Sequence, residues 1–290
     1  MNSTRPLDEP GCGSQWSADA HVRSRYCGRG RPRSVAFVLV ELLVVIAIIL
    51  VLLSLLLGGI SHVKTRAQRA ECISNLRQIT LAWQKHASDN DDKLVLNYRP
   101  QTATNNTGEL PWVQGDYHYT YDSVTNSQFL TDPKLAAFAG TIPNPRVYRC
   151  PAVRHDVQGV PITRSFGLNQ YMGAGNQSET LPDYAAFTRQ HDVPQPAQTF
   201  TYLELNPYTI CTSMVRVPMD TNQPTGYFHM PSFLHGARAA MAFTDGHIDL
   251  YAVRDKDTLR TYQVDWLPDH DFSMTNADVL AIRDMATYPK

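Results

Sequence analysis

The chain has 290 residues, 43% of them hydrophobic and 18% charged, with a formal net charge of -1 and a pI near 6.8. That length accommodates one membrane segment and one globular domain of moderate size, and leaves little for a second large core. A nearly neutral chain has no general attraction to nucleic acid or acidic surfaces, so no nucleic-acid partner is expected.

Residues 1–34 carry Arg5, Arg23, Arg25, Arg29, Arg31 and Arg33 among Gly and Ser, without a sustained apolar period. They read as a leader, not as a folded unit. The next stretch, Val35–Ile60, is apolar except for Glu41, its only charged residue. A run longer than roughly 20 apolar residues is a candidate transmembrane helix. A carboxylate inside such a span costs about 2.5–3.5 kcal/mol, so Glu41 calls for a compensating partner. The Arg cluster ahead of the run argues for a cytoplasmic N-terminus, while Lys64, Arg66 and Arg69 beyond it act against that bias.

Helical patterning continues past Ile60. Cys72, Leu76, Ile79, Trp83 and Ala87 recur at steps of four, three, four and four, with Glu71, Asn75, Gln78 and Lys85 on other faces. This is an amphipathic helix. No proline interrupts the chain from Phe37 to Asp92. One helix of about 50 residues, about 75 Å long, is therefore predicted, with Gly58-Gly59 the place where it bends or separates in two.

From Asp91 the composition turns to Pro, Gly, Asn and aromatic residues with short apolar runs. Leu94–Leu96 reads as a short strand, Thr102–Gly108 as a polar loop, and Ser127–Phe138 as a modest helix. Trp112, Tyr117, Tyr119 and Tyr121 form an aromatic patch whose three Tyr alternate as on one strand face. Packing is its expected role, and ligand stacking the alternative. Thr199–Leu205 is β-prone and assigned to the core. Ala239–Phe243 and His247–Val253 flank Asp245-Gly246, a strong hairpin signal. The tail, with Val279–Ile282, ends in a short helix.

His229, His235, Asp245, His247 and Asp249 are the cluster with metal-ligand character, and Asp245, His247 and Asp249 share a strand face at period two. Turn geometry explains Asp245-Gly246 without an ion, with His235 hydrogen-bonded to the turn, so no metal is assigned. Five cysteines divide into Cys12 and Cys27 in the leader and Cys72, Cys150 and Cys211 beyond it. No CxxC or Cys/His ligand spacing occurs, so no zinc site is expected. The three later cysteines permit one disulfide, Cys72–Cys150 being preferred and Cys150–Cys211 the alternative. With no G-x-S-x-G elbow, P-loop or H-E-x-x-H, no enzyme is expected, and His235 with Asp245 is the one acid–base pairing left to consider.

Arg31-Pro32-Arg33 followed by Phe37-Val-Leu-Val-Glu41 and its apolar continuation resembles the class III signal of type IV pilins and type II secretion pseudopilins. The resemblance implies cleavage by prepilin peptidase between Ala36 and Phe37, methylation of Phe37, and Glu41 as the fifth mature residue. Ala36 stands where the family usually has Gly, and Val38 where Thr is common. Further on, Cys72-Ile-Ser-Asn-Leu-Arg-Gln-Ile resembles the C-x-x-N-L-R/K-Q-I motif of a group of pseudopilin-like proteins. Tyr148-Arg149-Cys150-Pro151 resembles its F/Y-R-C-P element, and Arg164–Tyr171 its R-S-Y-x-x-N-x-Y strand. His235 with Asp245-Gly246 resembles its H-x9-D-G signature.

This family implies an α+β, pilin-like fold: a long N-terminal helix, its first half transmembrane, packed on a small, mainly antiparallel β-sheet head with long loops. The expected divisions are a leader (1–36), a transmembrane half-helix (37–62), an amphipathic half-helix (63–90) and an exported head (91–290). The implied protein is a single-pass subunit of the bacterial inner membrane with its head in the periplasm or envelope. It assembles with other pseudopilin subunits and an inner-membrane platform into a type II secretion or type IV pilus-like filament, Glu41 pairing with a neighbour's N-terminal amine. Some pseudopilins bind calcium in a C-terminal loop, and Asp255, Asp257, Asp265, Asp269 and Asp271 supply oxygen ligands of that type. Their spacing matches no EF-hand, a solvated surface is favoured, and no cofactor is assigned. The alternative function is a membrane-tethered module binding carbohydrate or peptide through the Tyr patch.

Overall fold

The computed structural model describes residues 39–97, 108–115, 122–173, 183–220, 225–259 and 271–290. The chain divides into two units, Met1–Leu53 and Ser54–Lys290. Helix α1, Leu39–Asp89, begins in the first and ends in the second. In the first unit its apolar side chains are open on every face, from Leu39 at 77% exposure to Leu53 at 47%. In the second the predicted stripe is buried: Cys72, Leu76, Ile79 and Trp83 are fully covered and Ala87 nearly so, while Leu81 on the opposite face is exposed. The helix stops where Asp91 and Asp92 turn left-handed (φ 52° and 66°) and the Asp92 N–H donates back to the Ala87 carbonyl at 2.8 Å. Aspartate tolerates that conformation better than branched residues do, so the stop is encoded locally.

The second unit is built on a five-stranded sheet. After two single helical turns, α2 (Asp122–Thr125) and α3 (Gln128–Thr131), come a small hairpin of β1 (Asp156–Val157) and β2 (Val160–Pro161), then β3 (Phe166–Asn169), β4 (Phe200–Glu204) and β5 (Met214–Val215). A further strand, β6 (Thr225–Tyr227), precedes β7 (Arg238–Phe243), β8 (Ile248–Ala252), β9 (Asp271–Ser273) and the closing helix α4 (Ala277–Asp284). The main sheet has the order β5-β3-β4-β7-β8, and β6 pairs with β9 apart from it. Strand β5 joins β3 in parallel and the other pairings are antiparallel. All of β4 is buried, as expected for a strand with neighbours on both edges. Trp112 sits with the core aromatics, its ring edge-on to Tyr202 with centroids 5.0 Å apart and its indole N–H donating to the Ser213 carbonyl.

Several expectations are corrected here. No helix among the described residues is long and apolar enough to cross a membrane. The sheet, moreover, is mixed. The pilin-like class with a transmembrane first half-helix, and the single-pass inner-membrane location that followed from it, are therefore withdrawn. The helix expected over Ser127–Phe138 reduces to α3, because Asp132 precedes Pro133 and is held extended (ψ 119°), a conformation the following ring enforces. Of Leu94–Leu96, expected as a strand, only Leu96 makes a bridge, with Pro111. Tyr117, Tyr119 and Tyr121, like Ala36 and Phe37, lie outside the described residues.

Candidate metal centre

Residues far apart in sequence converge behind the buried face of α1. Gln68, Cys72 and Asn75 lie on one side of that helix. The Gln68 amide donates to the Pro151 carbonyl at 3.2 Å, and that of Asn75 to the Arg146 and Arg149 carbonyls at 3.4 and 3.3 Å. These bonds hold the segment 146–151 along the helix. A 3₁₀ turn, Pro145–Tyr148, opened by Asn144 accepting from the Arg146 N–H, aims the segment inward. Cys150 follows, fully buried; its N–H donates to Ser165 Oγ at 2.7 Å, and its sulfur accepts from the Ala152 N–H at 3.4 Å.

The other two members come from the end of β4 and the turn before β7. Glu204 ends β4 and is completely buried; its Oε2 accepts from the Ala240 N–H of β7 at 3.0 Å. His235 lies in the tight turn before β7, where Gly236 and Ala237 are both left-handed (φ 74° and 57°) and the Ala237 N–H donates to the Phe233 carbonyl. That turn places the imidazole between two partners: Nε2 is 3.2 Å from Cys150 Sγ and 3.3 Å from Glu204 Oε1. The ligand atoms of Cys72, Cys150, Glu204 and His235 all lie within 4.8 Å of one another, and all four residues are buried.

Electrostatics in this pocket are strongly coupled. The hydrogen bond between the two thiols pushes Cys72 far above the ordinary thiol range, with burial adding to it, and pulls Cys150 below that range. Cys150 is thus the sulfur that accepts, from Cys72 on one side and His235 on the other. Burial works against charge on His235, but its contacts with Cys150 and Glu204 outweigh that and raise its pKa to about 10. Two atoms of the cluster make no hydrogen bond: Glu204 Oε1, whose contact is the ion pair with His235 Nε2, and His235 Nδ1.

Cys72, Cys150 and His235 were each singled out from sequence, for other reasons. Cys72 and Cys150 do meet, as the preferred disulfide requires, but Cys72, Cys150 and Cys211 are all thiols. Cys211 lies elsewhere, its sulfur 2.9 Å from His229 Nε2, so Cys150–Cys211 is not the pairing. His235 does not reach the Asp-Gly turn, nor can it act with Asp245: the two stand at opposite ends of β7, whose six residues span about 20 Å. Asp245 is exposed and serves its own turn, accepting from the His247 N–H at 3.1 Å and meeting His247 Nδ1 at 2.6 Å. The hairpin stands as read, β7 and β8 pairing from Arg238–Ala252 to Ala242–Ile248. At its turn Gly246 has φ 95°, and a Cβ there would come within 2.7 Å of the Gln84 side chain on α1. Asp249 is exposed, and His229 is buried with its Nδ1 accepting from the Arg216 N–H at 2.9 Å. Hence the cluster proposed around the turn does not assemble.

For calcium, Asp255 is occupied in capping, its oxygens accepting from the Asp257 and Ala277 N–H groups at 2.9 and 3.0 Å. Asp265 and Asp269 lie outside the described residues. Glu204 was missed altogether. The available signal was an acidic residue closing the β-prone run Phe200-Thr-Tyr-Leu-Glu204, where a buried carboxylate needs a partner. No family model, curated protein or solved structure matches the chain.

Proposed function

We propose that this chain is a structural subunit that assembles with copies of itself through the N-terminal part of α1, as a pseudopilin-like component of a type II secretion or type IV pilus-like filament. The observation that carries this reading is the exposure of that helix. From Leu39 to Leu53 its Leu, Ile and Val side chains are 47–77% exposed, with Glu41 the sole charge. A helix apolar on every face has no preferred side to lay against one partner and is satisfied by being surrounded. Covering each such side chain is worth about 1 kcal/mol from its half-exposed state. Packed copies of the same helix supply cover all round.

Glu41 lies in the first turn of α1, where the helix dipole favours a carboxylate. The resemblance at Ala36-Phe37 adds the other half of the pairing. Cleavage there by prepilin peptidase places an N-terminal amine four residues ahead of Glu41, and a neighbour's amine is the opposite charge that lets a carboxylate persist in an apolar bundle.

Glu41→Leu in the full chain tests this, with assembly followed by sedimentation and electron microscopy. Breaking a buried pair costs about 3–5 kcal/mol, enough to abolish assembly at concentrations where the parent forms filaments. Filaments of normal length and yield from the variant refute the pairing, and an intact Met1 leader on the assembled protein refutes the processing.

A further inference from the structure

We propose that Cys72, Cys150, Glu204 and His235 bind one zinc ion, through the two Sγ atoms, Oε1 and Nε2. The donor set comes first. Two thiolates with an imidazole and a carboxylate suit zinc, whereas calcium and magnesium take oxygen ligands only.

Geometry comes second. Tetrahedral zinc with bonds of about 2.3 Å to sulfur and about 2.0–2.1 Å to nitrogen and oxygen separates its ligand atoms by roughly 3.4–3.8 Å. Here Cys150 Sγ to His235 Nε2 is 3.2 Å, His235 Nε2 to Glu204 Oε1 is 3.3 Å, and all four atoms lie within 4.8 Å of one another. Small side-chain shifts are all that seating an ion requires.

The third observation is independent of spacing. Glu204 Oε1 belongs to a completely buried residue, points into the cluster, and receives no hydrogen bond, its contact there being His235 Nε2 at 3.3 Å, while its twin Oε2 is held by the Ala240 N–H. A buried carboxylate oxygen that receives no hydrogen bond is costly, and a cation at the cluster centre lowers that cost. The surrounding backbone is arranged to suit: the Ala152 N–H reaches Cys150 Sγ and the Ala240 N–H reaches Glu204. These are the outer contacts that orient ligands and offset the negative charge left after zinc neutralises two of the three anionic donors.

On binding, the protons held on the two sulfurs and on His235 Nε2 leave to solvent, and His235 ligates as the neutral ring with its remaining proton on Nδ1. Zinc neither gains nor loses electrons. Four protein ligands complete a tetrahedron and leave no open position, so the ion is structural, tying α1, the 150 segment, β4 and the turn before β7 together. The rival, a Cys72–Cys150 disulfide, would leave the buried Glu204 Oε1 with His235 Nε2, 3.3 Å away, as its counter-charge.

The test uses the full chain purified under reducing conditions without chelator. Zinc content near one per chain is expected, with a cobalt-substituted form showing thiolate-to-cobalt charge transfer. Cys72→Ser and His235→Gln should lower zinc affinity more than about 100-fold, whereas Cys211→Ser leaves it unchanged. Should the ligand variants fail to fold, the parent decides alone: stripped with chelator, it regains its unfolding midpoint on adding Zn²⁺ and not Ca²⁺. The proposal is overturned if the reduced parent takes up less than about a tenth of an equivalent and Zn²⁺ leaves its midpoint unmoved. It is equally overturned if mass mapping finds Cys72 and Cys150 disulfide-linked in the native protein, or if Cys211→Ser loses as much zinc as Cys72→Ser.

Discussion

Asn169, completely buried at the end of β3, offers a sharp test of how the second unit holds together. Its amide nitrogen donates to the Phe200 carbonyl at 2.9 Å and to the Ala286 carbonyl at 2.8 Å, and its Oδ1 accepts from the Tyr171 N–H at 3.0 Å. One side chain therefore ties β3 to the start of β4 and to the residues after α4. Asn169→Ala leaves three buried backbone groups short of a partner, each worth about 1–3 kcal/mol when unsatisfied. With partial relaxation the loss is about 3–5 kcal/mol, a large share of the roughly 5–15 kcal/mol that holds a domain together. Asn169→Asp separates hydrogen bonding from volume: it has nearly the same shape and keeps the acceptor for Tyr171, but sets a second oxygen against two carbonyls. It should destabilise at least as much as Ala. Urea unfolding followed by the fluorescence of the buried Trp83 and Trp112 reads this as a fall in midpoint at constant slope. A midpoint for Asn169→Asp within about 1 kcal/mol of the parent refutes the reasoning.

Gly246→Ala forces a Cβ onto a left-handed residue and into the Gln84 amide, and should cost about 1–3 kcal/mol. Gln84→Ala in the same chain relieves the contact but not the backbone strain, so the double variant should recover only part; neutrality of Gly246→Ala contradicts the turn geometry. His86, on α1 beside the Phe138 ring, has its pKa lowered chiefly by burial. The unfolded chain then binds the proton more readily than the folded one. Stability should hold above the unfolded value near 6.5, fall as pH drops through it, and level off below the folded value. His86→Gln should remove that part of the slope when midpoints are compared between about pH 7.5 and 5.5, and an unchanged slope rules it out.

What could be read ahead of the structure was local. The buried stripe Cys72, Leu76, Ile79, Trp83, Ala87 follows from helical period alone, β4 from a β-prone run, and the β7–β8 hairpin from Asp245-Gly246. The candidate centre was not legible, because its four ligands come from a helix, a turn, a strand end and a second turn, with no short spacing to mark them. His235 misled for a physical reason. Its sequence neighbour in the signature, Asp245, lies across the length of a strand, while its spatial partners Cys150 and Glu204 come from other elements. The membrane reading took the composition of Val35–Ile60 as a single span, and no helix among the described residues is long and apolar enough to cross a membrane.

X-ray absorption at the zinc edge of the purified full chain addresses the centre most directly, since it reports the atoms around the ion. Two sulfur neighbours at about 2.3 Å and two lighter neighbours at about 2.0–2.1 Å are predicted, the signature of Cys72 and Cys150 with His235 and Glu204. A shell of light atoms alone, or protein with no zinc to absorb, contradicts the account.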